Sequence, residues 1–217
     1  MIPVSQRARV AGSILSASLL AAAPLAAGVF GPEAYPSWKA GGLSQKLNPF
    51  TFYEADLGLK VFAGVEASRF HDEETFFPVQ VAVGNGNAAA VTLGRDEFVL
   101  TDDKGVYYPL AEHAAIASEY HKASFDQALV EQSVFLGNKF VGFDQIPSMF
   151  FPNLALRGVR NDKIQLPKGT FLSDVLYFRK PAGPLEGRVF TLTVYFPQQE
   201  RQIDVKFALP GEPRKQE

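Results

Sequence analysis

The sequence predicts an all-β protein, built as a β-sandwich that carries one helical insertion. The main observation is a succession of about eight short apolar runs from Leu57 onward, with strand-type alternation and with Gly, Pro, Asn and Asp between them. Hydrophobic residues make up 47% of the 217 residues, which is ample for a packed core. Many short strands at close spacing are typical of a sandwich.

The first 28 residues have the pattern of an export signal. Arg7 and Arg9 precede an uncharged run over residues 10–28 that ends in small residues. Ala8 separates the two arginines, and the chain contains no cysteine, so neither a twin-arginine signal nor a lipoprotein anchor is indicated. We expect cleavage between Ala26 and Ala34, and a periplasmic or secreted protein. The alternative is a retained anchor, because residues 10–30 are long enough to span a membrane.

Composition shifts divide the remainder of the chain. Residues 29–56 are rich in Gly, Pro and Ser in their first part and are interpreted as a flexible N-terminal arm. Trp38 is expected to lie against the domain, with an interaction anchor as the alternative. Residues 57–210 form the predicted sandwich, and residues 211–217 form a polar tail. Since there is no cysteine, no disulfide contributes, and stability depends on the core.

One segment departs from the strand pattern. Residues 111–132 are rich in helix formers and predict one or two helices that cap an end or an edge of the sandwich. A long loop with several aromatic residues follows over residues 136–162. Long loops in compact domains are often functional, so this loop is a candidate site.

The stretch FVLTDDKGVYYPL, residues 98–110, is compatible with a metal loop or a turn. A calcium loop of the EF-hand type needs oxygen ligands at alternate positions and a glutamate at the twelfth. Counting from Asp102, the third residue is Lys104 and the twelfth is His113, so the pattern fails. Asp-Asp-Lys-Gly instead predicts a hairpin turn between two strands, with its charges in solvent. GNGN at residues 84–87 also predicts a hairpin turn, because it precedes a strand and not a helix.

Metal and catalytic motifs are weak throughout. The run HDEE, residues 71–74, has ligand-type side chains but is expected to be a solvated loop, with adventitious calcium or zinc as the alternative. The spacing of His113 and His121 does not match HExxH, and neither a thiol nucleophile nor GxSxG occurs. Counting does not exclude a Ser-His-Asp site or a pair of carboxylates. We predict no enzyme activity and no cofactor.

Partners are constrained mainly by exclusion. A formal net charge of -2 without long single-sign blocks gives no nucleic-acid footprint. The aromatic loop supplies the main candidate binding residues, with core filling as the alternative. These candidates are Phe140, Phe143, Met149, Phe150 and Phe151.

The strand pattern resembles a known family. Residues 76–110, with the pattern F-x-L-x-D-x-x-G-x-x-Y at Phe98 to Tyr108, are similar to the telokin-like, immunoglobulin-type domains of exported bacterial proteins of unknown function. Residues 164–181 and the last two strands, within residues 189–209, agree with them. The resemblance implies an immunoglobulin-like β-sandwich and, by analogy only, a binding or scaffolding role.

The sequence therefore predicts a non-catalytic binding or scaffolding module of the cell envelope. Its expected partner is another envelope protein, bound through an exposed strand edge or through the loop at residues 140–151. Membrane contact is expected only if the leader is retained. The alternative is a small-molecule or glycan-binding protein, or with less support a hydrolase, with a pocket beside the helical insertion. Such a pocket would gather His113, His121, Tyr107, Tyr108 and Asp126. A purely structural envelope domain is the third possibility, and the sequence does not set the oligomeric state.

Overall fold

The computed structural model describes residues 42–71, 74–87, 89–131, 139–147 and 162–209, and every structural statement below concerns these residues. The predicted export signal, Trp38 and the polar tail lie outside them. In the described part of the chain, neither α-helix is long and apolar enough to cross a membrane.

The secondary structure is mostly strand, which confirms the predicted all-β class. The strands are β1 Gln45–Asn48, β2 Thr51–Asp56, β3 Leu59–Gly64, β4 Phe76–Asn85, β5 Val91–Gly94, β6 Phe98–Asp102, β7 Tyr107–Tyr108, β8 Asp144–Gln145, β9 Lys163–Leu166, β10 Thr170–Arg179, β11 Val189–Phe196 and β12 Arg201–Ala208. The helices are α1 His113–Glu119 and α2 Ala123–Glu131. Two helices within residues 111–132 agree with the predicted insertion.

The strands form two large sheets and one small one. The first sheet has the order β1-β2-β3-β4-β10-β8, and the second has the order β12-β11-β6-β7. Strands β5 and β9 form a separate antiparallel pair. All neighbours in the large sheets are antiparallel except β8, which runs parallel to β10.

The two large sheets enclose one hydrophobic core. Because side chains alternate across a strand, Phe77 and its cross-strand partner Phe178 point to the same face. The ring of Phe77 lies 5.5 Å from that of Phe190 on β11, in the second sheet. Farther along the sheets, Phe52 on β2 lies 6.1 Å from Phe207 on β12. These contacts place the core between the sheets.

The other face of the first sheet is covered as well. Every residue of β4 is buried, including those that alternate away from the core. At one end the helical insertion covers this outer face through Tyr120, whose ring contacts Phe76 and Tyr177. At the other end a turn at residues 140–143 covers it. Burial on both faces explains why β4 carries an almost continuous apolar sequence.

Hydrogen bonds from residues that flank the strands connect the two large sheets at both sides. The Ser44 amide donates to the Lys206 carbonyl (2.8 Å), and the Lys206 amide donates to Ser44 Oγ (2.8 Å). On the opposite side, the Ala111 amide donates to the Tyr177 carbonyl (2.8 Å), directly beside the bridge between Leu110 and Phe178. The segment that follows β7 thus crosses from the second sheet to the first.

The predicted arm extended too far along the chain. Residues 45–56, assigned to a flexible arm, form β1 and β2 of the first sheet. Phe52 is buried against β12, so this hairpin contributes to the core. The sequence signal is weak because the two strands are short and the turn between them contains Pro49.

The predicted hairpin turn at residues 84–87 is wrong. Strand β4 pairs with β3 and β10, whereas β5 pairs with β9, so β4 and β5 do not pair with each other. The chain instead changes direction between β4 and β5. Before this corner β4 pairs with β10, and after it β5 pairs with β9, the strand that precedes β10 in the chain. Asn85 is buried there: its Nδ2 donates to the carbonyls of Ala89 (2.8 Å) and Leu166 (2.9 Å), and its Oδ1 accepts from the Asn87 amide (2.9 Å).

Candidate functional site

The predicted aromatic site lies on the outer face of the first sheet. Phe140 is only 2% exposed, and its ring stacks on Phe171 of β10 at 4.3 Å with an interplanar angle of 2°. Its edge also meets Phe62 of β3, with centroids 5.0 Å apart. Phe143 is half-buried beside it at 5.6 Å, under Lys60 Nζ at 4.9 Å from the ring.

Phe140 therefore does not form an exposed patch, and its position agrees with the core-filling alternative. Its ring is held by the aromatic residues of the sheet because these apolar groups exclude water together. The predicted residues Met149, Phe150 and Phe151 lie outside the described residues. The turn between Phe140 and Phe143 instead exposes Val141, whose side chain is 80% accessible.

Gly84 on β4 makes room for the Phe140 ring. A Cβ atom at this position would lie 2.3 Å from Phe140 Cε1, well inside any real contact. We expect Gly84→Ala to displace the ring and to lower the free energy of unfolding by about 1–3 kcal/mol, as overpacking does. Urea unfolding measures this loss. Gly42→Ala is the matched control, since a Cβ there has no neighbour within 4 Å; equal stability of the two variants would contradict the packing.

A second candidate is a buried polar cluster between the insertion and the first sheet. We call it the His71 cluster; its members are His71, Tyr120, Asp126 and Tyr177. His71 and Asp126 are 0% exposed, and both tyrosines are buried. Tyr120 donates a short hydrogen bond to Asp126 Oδ2, and its oxygen lies 2.5 Å from His71 Nε2. The same Nε2 lies 3.1 Å from Asp126 Oδ1.

The tautomer of His71 is assigned from the hydrogen-bond network. A tyrosine hydroxyl has one proton, and Tyr120 donates it in the hydrogen bond to Asp126, so in this assignment the Tyr120 oxygen accepts from His71 Nε2. Among the described residues, His71 Nδ1 has no hydrogen-bond partner.

The two tyrosines of the cluster stay protonated. Burial raises the pKa of Tyr120 far above its usual range, and the hydrogen bond and the charge of Asp126 raise it further. Burial also raises the pKa of Tyr177, again reinforced by Asp126. Both side chains thus serve as neutral partners of Asp126 across the physiological range of pH.

The acidic run at residues 71–74 is not one solvated cluster. His71 points inward, whereas Glu74 lies at the surface and forms an ion pair with Lys122 (2.6 Å). Asp72 and Glu73 lie outside the described residues. In the part of the chain that the structure describes, no group of three or more His, Asp or Glu side chains is arranged to hold a metal ion.

The residues of the alternative pocket lie in different surroundings. Asp126 belongs to the His71 cluster, His113 is half-buried at the start of α1, and Tyr107 and His121 are exposed. Tyr108 is bound instead to Asp102 and Arg188 at the β6–β7 hairpin. These separate positions count against a pocket that gathers all five side chains.

The turn predicted after β6 is confirmed, but its first aspartate is not in solvent. Strands β6 and β7 form the expected hairpin, and Gly105 adopts φ 77° in its turn. Asp102 is buried, and its Oδ1 accepts from the amides of Lys104 (3.0 Å) and Val106 (2.9 Å). Its Oδ2 accepts from Tyr108 Oη (2.9 Å) and lies 3.3 Å from Arg188 Nη2. Asp102 holds the hairpin to the segment before β11.

Another unusual feature is the tight turn between β2 and β3. Leu57 and Gly58 occupy its centre with φ 43° and 86°, the left-handed region. The Leu57 side chain is 62% exposed. Asn, Asp and Gly are the residues that favour such a turn. Leu57 is therefore unfavourable both in its backbone conformation and in the exposure of its apolar side chain.

Comparison with known proteins gives no relative from which a role could be transferred. No family model, no curated protein and no solved structure matches the chain. The His71 cluster was hard to predict from the sequence. Its members come from three separate segments: the end of a 3-10 turn, the helical insertion and β10. The one usable signal was an aspartate among the apolar positions of a predicted helix.

Proposed function

We propose that the protein is an exported, non-catalytic binding or scaffolding module of the cell envelope, and that its domain is an immunoglobulin-type β-sandwich. The two facing, largely antiparallel sheets support the fold assignment. The parallel strand β8 and the separate β5–β9 pair are additions to a minimal domain of that type. The predicted export signal of residues 1–28 supports the location.

The observation that carries the binding role is Leu57. A non-glycine residue in the left-handed region costs on the order of 1 kcal/mol, and an exposed leucine contributes little to folding. Neither feature stabilises the isolated protein. A contact made by this side chain with another molecule would account for both.

Leu57 and Val141 lie at the same end of the first sheet. Leu59, Asn85 and Thr170 are cross-strand neighbours, which places the start of β3 and the start of β10 together. Strand β8 begins beside Thr170, so the turn that precedes it also lies at this end. We name Leu57, Gly58, Val141 and Gly142 the turn surface, and we propose that another envelope protein binds there.

Burial of the His71 cluster favours binding over catalysis. Its imidazole and carboxylate are fully covered, so a substrate would reach them only after the insertion moved. The apolar side chains of the turn surface are accessible without any rearrangement. Apolar groups that project from a rigid scaffold are common anchors of protein interfaces.

Replacing Leu57 separates stability from binding. We expect Leu57→Asn to raise the free energy of unfolding by about 0.5–1 kcal/mol, because Asn tolerates the left-handed conformation. The same variant should lose the partner. Urea unfolding measures the first effect, and a photo-crosslinking residue at position 57 or 141 of the exported protein in intact cells detects the second.

Val106 provides the matched control. It is 49% exposed at the β6–β7 turn, at the opposite end of the molecule. A crosslinker at position 106 should yield no adduct, and Val106→Ser should leave the adduct from position 141 intact. Two results would exclude the turn surface as the binding site. One is an adduct from position 141 that forms equally well in the Leu57→Asn protein, and the other is the absence of any adduct from positions 57 and 141.

A further inference from the structure

Asn85 and Gly86 form a chemically labile pair. The chain contains a single Asn-Gly dipeptide, and it lies at the corner between β4 and β5. The side-chain amide of an asparagine reacts with the main-chain nitrogen of the next residue, and a glycine there favours the reaction because it has no Cβ to hinder the approach. The geometry of the corner therefore decides whether Asn85 is modified.

The reaction converts the side-chain amide into a carboxylate. A hydroxide ion removes the proton of the Gly86 nitrogen, which then attacks Asn85 Cγ. A C–N bond forms, and the side-chain nitrogen takes a proton from water and leaves as ammonia. One water molecule then opens the five-membered imide ring. Opening at the side-chain carbonyl gives aspartate, whereas opening at the main-chain carbonyl gives isoaspartate, in which the main chain runs through the former side chain.

The folded corner holds Asn85 away from the attacking nitrogen. The side chain is 0% exposed, and its Nδ2 donates to the carbonyls of Ala89 (2.8 Å) and Leu166 (2.9 Å). The backbone of Asn85 belongs to β4 and is paired with β3 on one side and with β10 on the other. Ring closure requires the Gly86 nitrogen to rotate towards Asn85 Cβ, and the extended backbone of a paired strand prevents this rotation.

The attacking nitrogen is restrained by a separate contact. The Gly86 amide donates to the Gly58 carbonyl in the β2–β3 turn (2.8 Å). Gly86 itself is exposed, so hydroxide from the solvent reaches this part of the chain. The protection of Asn85 thus comes from hydrogen bonds and backbone geometry, and it is lost when the corner opens.

We propose that Asn85 is a deamidation site that the closed corner suppresses, and that conversion after opening prevents the corner from forming again. Opening frees the Asn85 side chain and the Gly86 nitrogen together, so the reaction proceeds from the open state. Chemical modification of an open state makes unfolding irreversible.

Neither product fits the closed corner. A carboxylate only accepts hydrogen bonds, so an aspartate at position 85 would face the carbonyls of Ala89 and Leu166 without a proton to donate. Isoaspartate lengthens the main chain of β4 and shifts its register with β3 and β10. Both products therefore remove contacts that hold β4 and β9 at the corner.

Incubation of the full chain at mildly alkaline pH tests the suppression. One sample stays folded, and the other is unfolded in guanidinium chloride at the same pH and temperature. Acid digestion followed by mass spectrometry measures how much Asn85 remains. We expect deamidation of Asn85 to be at least about tenfold slower in the folded sample, because it waits for the corner to open. Equal rates in the two samples, or no deamidation of the unfolded chain, would overturn the proposal.

Gly58→Ala tests the restraint on the Gly86 amide. Gly58 has φ 86°, and a Cβ atom there would lie 2.4 Å from Asn87 Oδ1, so the substitution displaces the turn that accepts this hydrogen bond. We expect Asn85 in the folded variant to deamidate about tenfold faster than in the wild type, because left-handed strain and a lost hydrogen bond both favour opening.

Gly105→Ala is the matched control. It introduces the same kind of strain at φ 77° in the β6–β7 turn, at the opposite end of the molecule, where a Cβ atom has no neighbour within 4 Å. Its deamidation rate should stay within about twofold of the wild type, since distant sites act independently. Equal acceleration in both variants, or in neither, would contradict control by the corner.

Separation of the converted chains tests the second part of the proposal. After partial deamidation in guanidinium chloride, the chain is returned to native conditions, and anion exchange isolates the molecules that carry the additional carboxylate at position 85. We expect these molecules to remain unfolded, or to unfold at lower urea with faster hydrogen exchange in β5 and β9 than in β11. Stability equal to that of the unconverted protein would show that the corner accepts the product, against the proposal.

Discussion

Asp102→Ala is expected to lower the free energy of unfolding by about 2–4 kcal/mol, because it removes a buried carboxylate that accepts several partly buried, charge-assisted hydrogen bonds. The amides of Lys104 and Val106, the Tyr108 hydroxyl and the Arg188 guanidinium all lose their shared carboxylate. Urea unfolding at neutral pH measures the loss. Asp103→Ala removes the same charge from the exposed neighbouring position and should cost less than about 0.5 kcal/mol.

Asp102 also predicts an acid dependence. Burial works to raise the pKa of its carboxyl, but the hydrogen bonds from Val106, Tyr108 and Lys104 and the charge of Arg188 outweigh it, so the pKa lies below its ordinary value. Its stabilisation is therefore complete above the unfolded value of about 3.9 and is lost as pH falls through the lower folded value. The Asp102→Ala protein should lack this part of the acid dependence. Equal losses in Asp102→Ala and Asp103→Ala would show that the buried carboxylate contributes nothing.

Asn85→Ala is expected to cost a similar amount, about 2–4 kcal/mol, because the corner between β4 and β5 depends on its side chain. The substitution removes the hydrogen bond that Asn85 donates to the buried carbonyl of Leu166, and it removes the acceptor of the Asn87 amide. It also loosens the junction at which β9 leads into β10. Thermal and urea unfolding measure the total effect, and hydrogen exchange in β5 and β9 should rise more than exchange in β11.

Two substitutions test whether the donors of Asn85 are responsible. Asn85→Asp keeps the acceptor and the shape but loses both donated hydrogen bonds, and it should be at least as destabilising as alanine. Asn87→Ala changes a partly exposed side chain in the same segment and retains the Asn87 amide that bonds to Asn85. A loss as large in Asn87→Ala as in Asn85→Ala would contradict the proposed corner.

Alternation of apolar and polar residues made the strands predictable where one face of the strand is buried and the other is exposed. The last two strands alternate clearly, and β11 and β12 lie where the sequence places them. The hairpin at Asp102 was predictable because Asp and Gly have defined uses in tight turns. Strands β1 and β2 were missed because each is short and partly polar, and because their burial depends on contact with β12, far along the chain.

The candidate sites were less predictable, since each depends on contacts between distant segments. Phe140 is aromatic in a long loop, a position that is compatible with a binding residue and with a packing residue. In the structure the Phe140 ring lies directly against Gly84, where a side chain would not fit, and this contact identifies Phe140 as a packing residue. His71 and Asp126 are separated by 55 positions, and nothing in either local sequence indicates that the two side chains meet.

By itself the sequence determined the all-β class, the helical insertion, the export pattern and the position of the turn after β6, because these depend on local composition and periodicity. Only the tertiary structure decided which polar residues are buried. Asp102, Asn85 and His71 each lie in a polar segment that looks solvent-exposed. A residue is buried when other segments pack against it. For these three residues, the segments that do so are distant in the sequence, so the local sequence does not reveal the burial.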